Sequence, residues 1–120
     1  MPYSETFKDH LLNPRNAGEL DAPDASAELT NPVCGDRLRL TLRIREGRVA
    51  EARFLAYGCP PTIACGSALT ELVAGRTLAE CLTLERREVA RAAGGLPARR
   101  QHAAALAVET LRTAVERFSA

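Results

Sequence analysis

Residues 37 to 45, RLRLTLRIR, alternate apolar and polar side chains without a break. Leu38, Leu40, Leu42 and Ile44 fall on one side, and a period of two suits only an extended chain, so a half-buried strand is the one regular structure this stretch supports. EGR follows, with Gly47 to turn the chain, and VAEARFLAY then repeats the alternation. Ala50, Ala52, Phe54 and Ala56 share one expected face, with Glu51 and Arg53 opposite. The two strands read as an antiparallel hairpin with one wet face and one face that needs cover. A third strand is expected from about Ser26 to Asn31.

Helical patterns supply the cover. Ser4 is a cap for a first helix in which Tyr3, Phe7 and Leu11 recur at four-residue spacing, and Pro14 stops it. Residues 17 to 26, AGELDAPDAS, read as a loop. After Cys59 the period becomes helical: Thr62 is the expected cap, Ile63, Leu69, Leu72 and Val73 the apolar stripe, and Gly75 the exit. Thr77 and Glu80 form a capping-box pattern. Leu78, Cys81 and Leu82 are expected on one side of that short helix, which puts Cys81 in the core. A further helix from about Arg86 to Ala93 ends at Gly94 and Gly95. Pro97 then opens a long helix with Ala107, Leu111, Ala114 and Phe118 facing inward. Strands first and helices after predict an α+β fold: a small antiparallel three-stranded sheet packed against helices, with an N-terminal helix and a long C-terminal helix. A chain of 120 residues fits one domain, residues 1–120, whose core forms without disulfides.

Charge narrows the partners. Sixteen Lys and Arg balance fifteen Asp and Glu, with no aromatic-rich basic segment, so nucleic acid is not expected. No window approaches the roughly 18 apolar residues of a membrane span, and MPYSETFKDH lacks the pattern of a secretory signal. A soluble cytoplasmic protein is the expectation. In a reducing compartment the four cysteines read as thiols, metal ligands or nucleophiles.

NPVCGD places Cys34 just before the hairpin, with Asp36 two residues on. YGC places Cys59 where the second strand ends, so antiparallel pairing brings both sulfurs to one end of the sheet. The competing reading is two small apolar residues at strand ends. His102, in LPARRQHAAA, offers an imidazole suited to zinc or iron, although a lone histidine at a helix start is ordinarily solvated. His10 has no cysteine near it in sequence.

Taken together, YSETFKDHLLNPRNAGEL, NPVCGD, YGC, TIACGSALTELVAGRTLAE and LPARRQHAAALA resemble, in order, the motifs of the NifU-like scaffold proteins of iron–sulfur cluster assembly, also called IscU-type. The resemblance runs almost end to end. It implies a small α+β domain that assembles a [2Fe–2S] cluster from iron and from sulfur delivered by a cysteine desulfurase, then passes it to recipient proteins, acting by binding and transfer and not as an enzyme. It implies that Cys34 and Cys59 are cluster ligands, that Asp36 influences cluster release, and that His102 is the family histidine. At the next position the family has a third cysteine, commonly its sulfur acceptor; this chain has Ala103. LPARR departs from the family's chaperone-recognised LPPVK, and residues 75 to 96 leave no room for the insertion of the zinc-dependent sulfur-transfer branch.

Cys34, Asp36, Cys59 and His102 make four ligands, the number a [2Fe–2S] cluster requires. The same quartet suits one tetrahedral Zn²⁺, which keeps open a divergent zinc-binding member that docks on a desulfurase or regulates assembly without building clusters. Cys65 falls where the resemblance places a serine. At a helix N-terminus its pKa is expected to drop, so it is a candidate ligand or persulfide acceptor replacing the missing thiol, with a core-facing small residue as the other reading. A thiol enzyme with a Cys–His pair oriented by Asp36 is the remaining class. The oligomeric expectation is a monomer or weak homo-oligomer.

Overall fold

A computed structural model describes residues 3–119. The alternating stretch becomes β2 (Arg37–Arg45), which turns back at Glu46 and Gly47 into β3 (Arg48–Tyr57). Both turn residues have positive φ, 53° and 73°, as a two-residue turn with the twist of a hairpin demands. A shorter strand, β1 (Ala25–Thr30), pairs antiparallel with the other side of β2, giving the order β1-β2-β3.

Leu38, Leu40 and Leu42 are fully buried, as the alternation predicts. The expected face of β3 needs a correction. Arg43 pairs with Glu51 but Ile44 pairs with Val49, so Ala50 is a bulge residue without a partner. One extra residue reverses the side from which later side chains point. Val49 is therefore buried and Ala50 exposed, while Ala52 and Phe54 face the core as expected.

The helices are α1 (Glu5–Leu12), α2 (Pro60–Val73), α3 (Leu78–Leu82), α4 (Arg86–Ala92) and α5 (His102–Ser119). α5 packs on β1 and β2, α2 on β3, and α1 on α2. Ser4 caps α1 by accepting a hydrogen bond from Phe7 N at 3.1 Å. Thr77 and Glu80 form the expected capping box on α3, and Cys81 is buried. Leu82 is instead exposed and Leu84 takes its place in the core. Pro97 opens a 3₁₀ turn, Ala98–Arg100, before α5 begins. Along α5, Ala107, Leu111 and Ala114 are buried but Phe118 is exposed, so the last turn has left the core. Among the described residues no helix is long and apolar enough to cross a membrane.

The start of α2 differs from the expectation and positions the site. Its N-cap is Cys59, not Thr62, and Pro60 and Pro61 form its first turn. Proline suits that place because it lacks the N–H that a first turn leaves unpaired. Ala64, Cys65, Gly66, Ser67, Ala68 and Leu69 are all buried, so α2 is enclosed almost all round. Gly66 meets the sheet closely: a Cβ there would lie 2.5 Å from Cδ2 of Phe54. Gly66→Ala is expected to destabilise the protein by about 1–2 kcal/mol, because overpacking against a buried ring outweighs the gain of about 1 kcal/mol in helix propensity. A lower urea midpoint at unchanged slope would show it; an unchanged or higher midpoint would refute it.

Candidate metal centre

The NPVCGD loop is folded by its own asparagine. Asn31 Oδ1 accepts from Val33 N at 2.9 Å and from Cys34 N at 3.4 Å. Gly35 N donates to Asn31 O at 2.8 Å, and Asn31 N to Asp36 O at 2.7 Å. The closed loop leaves Cys34 exposed and turns Asp36 inward. Arg37 faces Tyr57 across the hairpin, so the chain leaves β3 at the same end and enters α2 through Cys59.

Asp36 is the hub of this corner. Its Oδ1 accepts from Cys59 N at 3.3 Å, and its Oδ2 accepts from the Cys59 thiol and the Thr62 hydroxyl, each at 2.9 Å. The carboxylate fits only because residue 58 has no side chain: a Cβ on Gly58, whose φ is 153°, would lie 2.2 Å from Asp36 Oδ1. Burial opposes the charge on Asp36, but hydrogen bonds from Cys59, Thr62 and Cys34 outweigh it and hold the carboxyl below its ordinary range. Cys59 moves the other way: burial raises its thiol, the Asp36 carboxylate raises it further, and Thr62 offsets part of this.

α5 brings the imidazole. Its first residue, His102, places Nε2 3.9 Å from Asp36 Oδ2. That nitrogen is buried and has no hydrogen-bond partner among the described residues. Donor atoms of Cys34, Asp36 and His102 all lie within 4.8 Å of one another. A thiol, a carboxylate and an imidazole together suit iron or zinc, and an orphaned buried nitrogen aimed at them fits a site made for a metal. Cys59 lies outside that trio, with its sulfur engaged by Asp36.

The other sequence candidates sit elsewhere. Cys65 is the sixth residue of α2, not its terminus, and is fully buried. Burial, with a smaller contribution from Cys59, pushes its thiol up to about 12, which corrects the expectation of a reactive thiolate. Ala103 is packed in the core. His10 Nδ1 lies 2.7 Å from Ser67 Oγ, and its Nε2 is 3.7 Å from Glu71. Sequence reasoning missed two residues of the site: Thr62, read there as a helix cap, and Gly58. The glycine directly before a ligand-type cysteine was the available signal for the second.

The model of the family described as NifU-like N terminal domain matches residues 2–120. The iron–sulfur cluster assembly scaffold protein IscU of Azotobacter vinelandii is 38% identical, over 98% of this chain and 94% of that protein. A nitrogen fixation protein NifU of Cereibacter sphaeroides is 51% identical over 92% of this chain, which spans 45% of that longer protein. The crystal structure of the N-terminal part of a NifU-like protein from Brucella abortus superposes with a TM-score of 0.77 at 19% identity, over 97% of this chain and 93% of that one; at that identity the likeness concerns the fold. By sequence and by architecture the chain belongs to the NifU-like N-terminal domain family.

Proposed function

We propose that this protein is a scaffold for iron–sulfur cluster assembly, which transiently binds a [2Fe–2S] cluster or its iron and passes it to recipient proteins. The observation that carries this reading is the corner at which Cys34, Asp36 and an unpartnered His102 nitrogen converge within 4.8 Å, in a chain whose relatives are named as such scaffolds. Cys34, Cys59, His102 and Asp36 supply the four terminal ligands, and mixed cysteine and histidine ligation is sound chemistry for this cluster type. Cys59 joins by releasing Asp36 and losing its proton. The protein works by binding and transfer, as one domain over residues 1–120, in the cytoplasm, as a monomer or weak homo-oligomer. A cysteine desulfurase supplies the sulfur, and apo-proteins receive the cluster.

Anaerobic reconstitution with ferrous iron and sulfide tests the reading. Visible charge-transfer absorption that persists through desalting is the expected result. One tightly bound zinc in the isolated protein, with no such absorption after iron and sulfide are supplied, would overturn it in favour of the zinc-binding alternative.

Uptake also carries a pH signature. A thiol raised above its ordinary value stays protonated at neutral pH, so its proton must be released before a metal is bound. Affinity for cobalt(II), read from its thiolate absorption, is expected to increase from about pH 6.5 to 8.5, by roughly tenfold per unit for each proton released. In Cys59→Ser the pH slope should fall; an unchanged slope would exclude Cys59 as a source of the proton.

A further inference from the structure

We infer that Cys34 is the sulfur acceptor of this protein, the thiol that takes the sulfane sulfur of an incoming persulfide. The inference rests on the scaffold reading above and names the residue that performs one of its steps. Position 103, where the sequence lacks a thiol, is closed as well: Ala103 lies in the core. Attack on a persulfide requires an open approach to the nucleophilic sulfur along the S–S axis, and accessibility separates the four cysteines sharply. Cys65 and Cys81 are buried. Cys59 is half-buried, with its sulfur 2.9 Å from Asp36 Oδ2 and 3.6 Å from Thr62 Oγ1. Its backbone is clamped between Gly58, where no side chain fits, and Pro60.

Cys34 differs in exposure and in backbone setting, although its thiol also hydrogen-bonds the Asp36 carboxylate. It is exposed, on the loop folded by Asn31, and its neighbour Val33 is 94% exposed at the loop's crest. The Cys34 sulfur is thus open to a large donor, as the other three are not. Delivery here also puts the sulfur where it is needed. The Cys34 sulfur belongs to the group whose donor atoms lie within 4.8 Å of one another, and an added sulfur on a bond of roughly 2 Å stays within reach of the iron ligands. The unpartnered His102 nitrogen in that group accepts a hydrogen bond from the new terminal sulfur.

The step is an exchange without net oxidation. The Cys34 sulfur attacks the outer sulfur of the donor persulfide, a new S–S bond forms as the donor's S–S bond breaks, and the donor leaves as a thiol carrying the proton that Cys34 gave up. Cys34 then holds the persulfide.

Metal-free protein treated with substoichiometric glutathione persulfide, alkylated and digested with trypsin, gives a direct test. Cleavage after arginine leaves Cys34 alone in the peptide 16–37, Cys59 with Cys65 in 54–76, and Cys81 in 77–86. The expected result is one added sulfur on Cys34, at about tenfold or more over the sum on the other peptides, lost in Cys34→Ser and retained in Cys59→Ser. Sulfur mainly in the peptide 54–76, or undiminished total labelling of Cys34→Ser, would overturn the assignment. Reconstitution of the wild type with ferrous iron and inorganic sulfide needs no acceptor thiol. A cluster formed there together with labelling away from Cys34 removes this inference alone, whereas a Cys34 persulfide in a protein that builds no cluster removes the scaffold reading.

Discussion

Replacing Gly58 with alanine is expected to unseat the Asp36 carboxylate and to lower the stability of the fold by about 2.5–6 kcal/mol. Two effects add. A φ of 153° is strained for any residue with a Cβ, at about 1–3 kcal/mol. The new methyl would also lie 2.2 Å from Asp36 Oδ1 and 2.5 Å from its Cγ, so the carboxylate must swing away from the Cys59 N–H, the Cys59 thiol and the Thr62 hydroxyl. Hydrogen bonds to a charged group contribute about 1.5–3 kcal/mol, and the buried Thr62 hydroxyl then lacks its acceptor. Gly75→Ala separates the two effects, since Gly75 also has positive φ, 81°, but nothing within 4 Å of the added Cβ. Denaturation of both variants, with a chelator-competition measurement of zinc affinity, checks this. Gly58→Ala should lose the larger part of the stability and change the affinity, Gly75→Ala lose only a smaller part of the stability and leave the affinity as it is. Equal losses of stability with affinity intact would show that the contact with Asp36 does not matter.

Asp36→Ala should strengthen retention of the cargo, lengthening the lifetime of the reconstituted cluster by about tenfold or more. Asp36 has two influences and their sizes decide the outcome. As a ligand in the proposed set it would be a hard carboxylate among softer donors, the weakest member for a cluster iron. As a hydrogen-bond acceptor it holds the released Cys59 thiol at 2.9 Å, which stabilises the unloaded state by about 1.5–3 kcal/mol, or roughly ten- to a hundredfold. Losing the second influence outweighs losing the first. Decay of the visible absorption after addition of a chelator measures it, and a decay equal to or faster than the wild type's would reject the argument. The same variant carries an acid signature. A carboxyl held below its unfolded value stabilises the fold at neutral pH, and that contribution disappears as pH falls from about 4 through the lowered folded value. Asp36→Ala should therefore be less stable at neutral pH and lose less stability on acidification.

The hairpin was legible because period-two alternation has one structural solution, and antiparallel pairing then forced Cys34 and Cys59 to one end of the sheet. The bulge at Ala50 was not, since alternation predicts a face only while the register is unbroken. Cys65 was misplaced for a related reason: Pro60 and Pro61 fit the first turn better than a threonine cap does, so α2 starts earlier and Cys65 lies a full turn inside it. Leu82 and Phe118 sit on apolar stripes longer than the surfaces available to cover them. Within the site, the approach of His102 depends on how α5 crosses β1 and β2, a long-range arrangement that local spacing does not encode. The resemblance supplied that residue. Neither source supplied Thr62, because its hydroxyl donates 26 positions away, to Asp36.

The turn that Asn31 makes within its own loop has a kinetic meaning. Cys34 and Asp36 are held by hydrogen bonds that the loop makes with itself, so its fold draws on the chain's own groups and not on an arriving ion. In the proposed ligand set the Cys59 side chain moves from its carboxylate to the metal, and rotations of single side chains are fast, in the picosecond-to-nanosecond range when unobstructed. Loading and unloading are thereby uncoupled from folding. Surrender of a cluster can begin with the turn of one thiol, with the carrier left folded for the next.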